Sequence, residues 1–402
     1  MRLVFTFTVT VLLLVFVVAG ARGLEILVVK KGESQPTWTV NLRRYGYRGA
    51  RHGFVDDPGS LGNIAFAKNT IAVIFDERSD EHLIPDKGKK VWNGWHLSLV
   101  FLGSTNGALI AKRSWIGDLD WHRRLLPTAK GNFLFLLSTF PKPLEIPLPK
   151  RSQSDLYGPH PTNLLLLSPT GNELKRIKLP INGMWKNERW TILGSLSGKS
   201  VLLTHEDSEL CEFRLLDADT LDQRYVWTLP SATKLKPVAL SDDYVLFSAG
   251  AGQAFIGRFN GSIRSPLTLT FTHAQFLSDD SILELTEPRQ VPGGTVAITT
   301  IAGKEISRFD LGIHSRMEGA TPPFVAANGE RFGTVVDQLV GNHFWSRYQR
   351  TAYVWQRPQN EVTFKAKLSY SVDPPEAALS PGGSALAVLN AGRIVLYRLP
   401  SM

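Results

Sequence analysis

The sequence predicts an all-β protein, a seven-bladed β-propeller of four-stranded antiparallel blades. Three observations point there. A short hairpin unit recurs along the chain, its copies are spaced roughly 40 to 60 residues apart, and no stretch carries the apolar spacing of a long amphipathic helix.

The unit is clearest at 374–400, PPEAALSPGGSALAVLNAGRIVLYRLP, where strand-length apolar runs are cut by two polar turns. Its inner hairpin has seven copies, with turns beginning at Ala67, Ala129, Ser197, Ser241, Ser278, Ala327 and Ser380. Asn, Asp and Gly in these turns supply the backbone angles that tight reversals need. A third strand follows most copies, at 97–102, 163–167, 213–216, 254–259, 295–301, 352–355 and 394–399. These runs carry apolar residues on both faces, as strands sandwiched between neighbouring sheets should. Outer strands at 177–179, 227–229, 309–311 and 364–368 alternate apolar with polar, the mark of one wet face. The candidate outer strand at 109–115 fits that alternation poorly.

The last copy ends without an outer strand. Residues 37–42, Thr-Trp-Thr-Val-Asn-Leu, carry the missing alternation, with Trp38, Val40 and Leu42 on one side. The Trp38 segment is therefore expected to pair with the C-terminal blade and close the ring, removing an open edge.

The N-terminus reads as a targeting segment: Arg2, an apolar run over 3–18, then Ala19-Gly20-Ala21. The expectation is a signal peptide, 1–21, cleaved after Ala21, followed by a single propeller domain over 22–402. The run is short for a bilayer span, which takes about 20 residues. An extracytoplasmic location follows, periplasmic or secreted, with no membrane span after cleavage. Cys211 is the only cysteine, so no internal disulfide can form and packing alone must hold the fold.

The segment ALSPGGSALAVLNAGRIVLYRLP resembles a blade of exported bacterial WD40-like repeat proteins. LLDADTLDQRYVWTLP is similar to the blade signature of quinoprotein-like propellers. The resemblance covers essentially the whole chain after the targeting segment, and it implies blades without implying a chemistry.

A formal net charge of +9 favours acidic partners. Long links at 76–95, 140–161 and 337–350, with 43–58 between blades, are expected on one face of the ring. They interleave cations with aromatics: Tyr45, Tyr47, Arg48, Arg51, Trp92, Trp95, His343, Trp345 and Arg347 are the candidate binding residues. Their chemistry suits an acidic protein or an anionic glycan of the cell envelope. Nucleic acid is not expected as a partner, and a monomer is.

Catalytic, cofactor and metal signatures are not found. The histidines lack metal-ligand spacing, and His205-Glu206-Asp207 would point to alternate faces of a strand. The chain is expected to be a binding scaffold. The competing expectation is a propeller enzyme, a quinoprotein-like dehydrogenase or a hydrolase, acting at the central channel. Such an enzyme needs carboxylates, His or Arg converging there, whereas the inner strands show mostly Ala, Leu, Ser and Thr.

Overall fold

In the computed structural model, the described residues are 35–47, 63–84, 89–117, 124–138, 144–147, 162–179, 189–206, 209–250, 253–259, 263–269, 271–278, 280–287, 294–313, 318–340, 347–359, 361–370 and 375–401. The expected signal segment 1–21 lies outside them. They contain strands, turns and two short 3-10 turns, Leu42–Tyr45 and Ser231–Thr233, and no α-helix.

The first strand, β1 (Trp38–Asn41), stands apart from its chain neighbours. Blade one follows as β2 (Asn63–Ala67), β3 (Thr70–Ile84), β4 (Lys89–Gly103) and β5 (Leu109–Gly117). Blade two is β6 (Leu126–Pro127), β7 (Phe133–Ser138), β9 (Thr162–Leu167) and β10 (Glu173–Leu179); β8 (Leu144–Pro147), in its second link, leaves it to pair with β4. Blade three is β11 (Arg189–Gly194), β12 (Ser200–Glu206), β13 (Leu210–Asp217) and β14 (Gln223–Pro230). Blade four is β15 (Lys236–Leu240), β16 (Tyr244–Gly250), β17 (Gln253–Arg258) and β18 (Ile263–Thr268). Blade five is β19 (His273–Ser278), β20 (Ser281–Thr286), β21 (Thr295–Thr300) and β22 (Glu305–Asp310).

The innermost strand of blade six is split into β23 (Gly319–Ala320) and β24 (Phe324–Val325). Pro322 and Pro323 fall between the halves, and neither can donate to a ladder. The blade continues as β25 (Arg331–Val340), β26 (Arg347–Gln356) and β27 (Glu361–Leu368). Blade seven is β28 (Glu376–Leu379), β29 (Ala385–Asn390) and β30 (Arg393–Arg398). All seven inner hairpins fall at the turns read from sequence. The outer strand of blade one is a regular strand despite its poor alternation.

Blade seven takes β1 as its fourth strand, with Trp38 opposite Leu396 and Asn41 opposite Arg393. Inner strands touch in the cyclic order β2, β6, β11, β15, β19, β24, β28 and back to β2, so the sheets form a closed ring. The ring is thus a seven-bladed β-propeller closed by β1. Trp38 donates its indole N–H to the Ser104 carbonyl at 2.9 Å, and Leu42 is fully buried.

The apolar core is divided among the seams between blades. One seam joins Leu42, Ile64, Phe66 and Val73 to Ala387, Leu389 and Ile394 of blade seven. Another joins Ile74 and Phe101 of blade one to Phe133 and Phe135 of blade two. Cys211 lies buried in the seam with Phe213 and Phe247, a small hydrophobe as expected.

Two of the long links are largely paired strand. β3 and β4 stay paired past the end of the inner strand, from Phe75 opposite Ser98 to Ile84 opposite Lys89. The charged run at 76–82 hid this, because backbone pairing asks nothing of a solvated side chain. Bulges between Asp76 and Arg78, and between Ser79 and Glu81, add twist to the ribbon. β25 and β26 likewise pair out to Val340 opposite Arg347.

Deleting 22–43 from the mature chain removes the full burial of Leu42, worth about 1.5–3 kcal/mol, and the partial burial of Trp38 and Val40. The expected drop in Tm is on the order of 10 °C by thermal melt. An unchanged Tm would contradict closure by β1.

Candidate functional site

Up-and-down pairing within a blade sends both hairpin turns to one face of the ring. Links between second and third strands, and between blades, go to the other. The inner strands begin on the link face, where the long hairpins also emerge.

The structure distributes the sequence-predicted residues unevenly on that face. Tyr45 ends the 3-10 turn after β1; it is half-buried, and its carbonyl accepts from Lys112 Nζ at 2.7 Å. Tyr47 was expected at a contact surface, but it is 4% exposed and sits edge-on to Phe75, 5.6 Å between centroids. Its ring occupies the space beside Gly392, where an added Cβ would lie 2.5 Å from Tyr47 Cδ1. Tyr47 is therefore a core residue. Trp92 and Trp95 lie on β4 in the ribbon, Trp92 between Glu81 of β3 and Leu144 of β8, Trp95 between Ser79 and Gly117 of β5. Arg347 opens β26. Arg48, Arg51, His343 and Trp345 lie outside the described residues. His205 is buried and stacked on Trp190 at 4.7 Å, so it is a packing residue.

Sequence reading missed a polar cluster at the channel mouth. Asn63 begins β2, His273 begins β19, Glu376 begins β28, Arg124 leads into β6 and Glu287 follows β20. Asn63 Oδ1 accepts the Leu125 N–H at 2.7 Å, and its Nδ2 donates to Glu376 Oε2 at 3.5 Å. Across the mouth, Glu287 Oε1 accepts from the Ala320 N–H at 3.4 Å. Burial pushes the Glu376 carboxyl up to about 7, with the Arg124 charge and the Asn63 hydrogen bond opposing. Burial lowers His273, against the charge of Glu287 and with that of Arg124. Arg124 is exposed at the surface; desolvation lowers its pKa, against the charge of Glu376. The inner-strand ends thus bring together a cation, an imidazole and two carboxyls, contrary to the expectation of Ala, Leu, Ser and Thr. The signal was positional: Asn63 and Glu376 each precede the turn residue of their copy, Ala67 and Ser380, by four positions, and His273 precedes Ser278 by five.

Toward the rim, the Arg350 side chain is 3% exposed and clamps Asp337 with Nε to Oδ1 at 2.7 Å and a second bond to Oδ2 at 2.8 Å. It also donates to Asn390 Oδ1 at 2.9 Å, tying blade six to blade seven. Tyr370, 52% exposed, stacks on Tyr348 at 5.1 Å with the Arg350 guanidinium 5.3 Å from its ring. No group of three or more metal-ligating side chains occurs among the described residues.

No protein-family model matches the chain, and no curated protein does. Among solved structures, it is similar to a chain of the mitotic checkpoint complex with TM-score 0.50 and 9% identity, covering 94% of this chain and 100% of that one. It is also similar to the Dos1 propeller, TM-score 0.48, 12% identity, over 91% of this chain and 95% of that one. For BamB from Moraxella catarrhalis the TM-score is 0.41, at 12% identity, over 92% and 98%. At these identities the likeness shows the propeller fold alone, and it rests on the first of the three.

Glu376 supplies a stability test. Its ordinary value is 4.5 and its folded value about 7, so the native chain holds this proton more tightly than the unfolded one. Its effect on stability is nil below pH 4.5, grows unfavourable between 4.5 and 7, and reaches up to about 3 kcal/mol above that. Glu376→Gln should therefore raise Tm at pH 8 and leave it nearly unchanged at pH 4.5. A variant that melts lower at pH 8 would show the carboxylate to be well solvated or paired instead.

Proposed function

We propose that the chain is an exported propeller scaffold that holds a protein partner on its link face. The observation carrying this reading is the three-stranded ribbon of β3, β4 and β8, a paired extension mounted on a closed ring. A rigid scaffold with lengthened connections on one face is a common arrangement for recognition. The positive charge favours an acidic protein surface, with an anionic envelope glycan as the variant of this reading. Contacts would come from Tyr45, Trp92, Trp95 and Arg347, together with Arg48, Arg51, His343 and Trp345; Tyr47 supports the surface from beneath. No helix among the described residues is long and apolar enough to cross a membrane.

Shortening the ribbon by replacing 79–94 with a two-residue Asn-Gly turn should abolish partner capture from an envelope fraction. The ring should still melt within a few degrees of the full chain. Undiminished capture of the same partner would remove the ribbon from the reading.

Export has its own test. N-terminal sequencing of the protein recovered outside the cytoplasm should begin at Arg22. A chain that retains Met1 would argue for an anchor.

A second reading, an enzyme acting at the channel, draws on the convergence of Arg124, His273, Glu287 and Glu376. Substrate turnover by the purified chain that is lost in Glu376→Gln would favour it.

A further inference from the structure

Each blade ends at the rim in one outer strand, and all but one of these strands are protected against pairing with another chain. β1 is four residues long, and β18 is interrupted by Pro266. β5, β10, β22 and β27 carry a cation at or beside their midpoint, Arg113, Arg176, Arg308 and Lys365. Shortness, proline and charge are the means by which edge strands are kept from adding a neighbour. β14 has none of them at its centre. It is eight residues long and the last strand of its sheet. Its one charged side chain, Arg224, lies near the end and is bound by Asp217 of β13. From Tyr225 to Leu229 the strand is uncharged, with Tyr225 49% and Val226 47% exposed. A bulge at Arg224 ends this regular stretch on one side, and Pro230, without an N–H, ends it on the other. Similar bulges open the other long outer strands, so the bulge is not what sets β14 apart.

We propose that β14 pairs with β14 of a second copy of the chain, antiparallel about a two-fold axis, so that two blades share one continuous sheet. Residues directly opposite each other in such a pair lie on the same face, so the axis passes through a residue and not between two. Centred on Trp227, the pairing uses the whole uncharged stretch and leaves Pro230 and the bulge outside it. Trp227 then meets Trp227 of the second copy, Tyr225 meets Leu229, and Val226 meets Thr228. Each Trp227 already stacks on Phe213 at 5.3 Å, so its ring is held in place on the face where the new aromatic pair forms. The same operation on β5, β10, β22 or β27 would set a cation against its own copy. Only β14 is complementary to itself. A short edge buries less than a standard interface of about 1,600 Å², so the association is weak and reversible. A dimer stands in place of the monomer expected from the sequence.

The test is sedimentation equilibrium of the mature chain, loaded up to about 100 µM, the range in which a weak interface assembles. The wild-type chain should approach dimer mass there and return to monomer mass on dilution of about a hundredfold. Val226→Lys combined with Thr228→Lys sets lysine against lysine twice across the axis and should weaken association roughly tenfold or more. Both positions are exposed, so its Tm should stay within a few degrees of wild type. Val226→Glu combined with Thr228→Lys sets carboxylate against ammonium instead and should dimerise again. A wild-type chain that is monomeric at the highest loading overturns the proposal, and so does a dimer indifferent to the two lysines. If the Glu and Lys combination stays monomeric, the register centred on Trp227 is wrong. A monomeric wild type whose capture of an envelope protein is lost in the two-lysine variant would give the edge to a foreign strand, against a second copy. The wild-type mass decides even should a variant fail to fold. The ribbon belongs to blade one, so the ribbon-shortened chain should dimerise normally, and failure of either idea leaves the other standing.

Discussion

A blade of this ring is apolar on both sides, and it is stable only while a neighbour covers each side. The seams show the rule: side chains of successive blades meet in separate apolar clusters, with Phe101 against Phe133 in one and Phe213 against Phe247 in another. Such an array has no natural end, because every terminal blade leaves a face and an edge uncovered. The ring solves this by letting β1 complete the sheet of β28, β29 and β30. That one antiparallel pairing completes blade seven, whose inner strand touches those of blades six and one.

The two faces of the ring then differ in how they are held. On the turn face, short hairpins are bonded to one another: Ala129 N–H to the Gly198 carbonyl at 2.9 Å, and Ser197 Oγ to Asp242 at 2.5 Å. Gly198 lies at φ +71, and a Cβ there would stand 2.8 Å from Ala129 N, so the approach of blades two and three demands glycine. Arg331, 1% exposed, spans blades six and seven below through the Gly383 and Pro400 carbonyls. On the link face, the tie at Arg350 is buried, and β3 with β4 and β25 with β26 pair on beyond the inner strands. Rigidity on one side and length on the other give the molecule a base and a contact side.

Architecture was legible in the sequence because each level agreed with the next. Asn, Asp and Gly marked reversals at fixed places in each copy, and period-two alternation marked the outer strands. Trp38, Val40 and Leu42 betrayed a strand without a local partner. The ribbon was illegible for a physical reason: 76–82 carries charge nearly throughout, and paired backbone leaves no hydrophobic signature there. Tyr47 misled because it sits among arginines, and nothing local announces the pocket opened by Gly392. Asn63, His273 and Glu376 are marked only by their place four or five residues before the turn of each copy, a signal that gains meaning once the ring brings the strand starts together.

The closing strand has a consequence in time. β1 is synthesised long before β30, the strand it pairs with. For the whole interval of synthesis, and of any passage through a translocation pore, 38–42 has no partner and the growing stack has two bare flanks. Contacts of such sequence separation form slowly. Until β30 is made, the edge that β1 will cover stays open to other pairings.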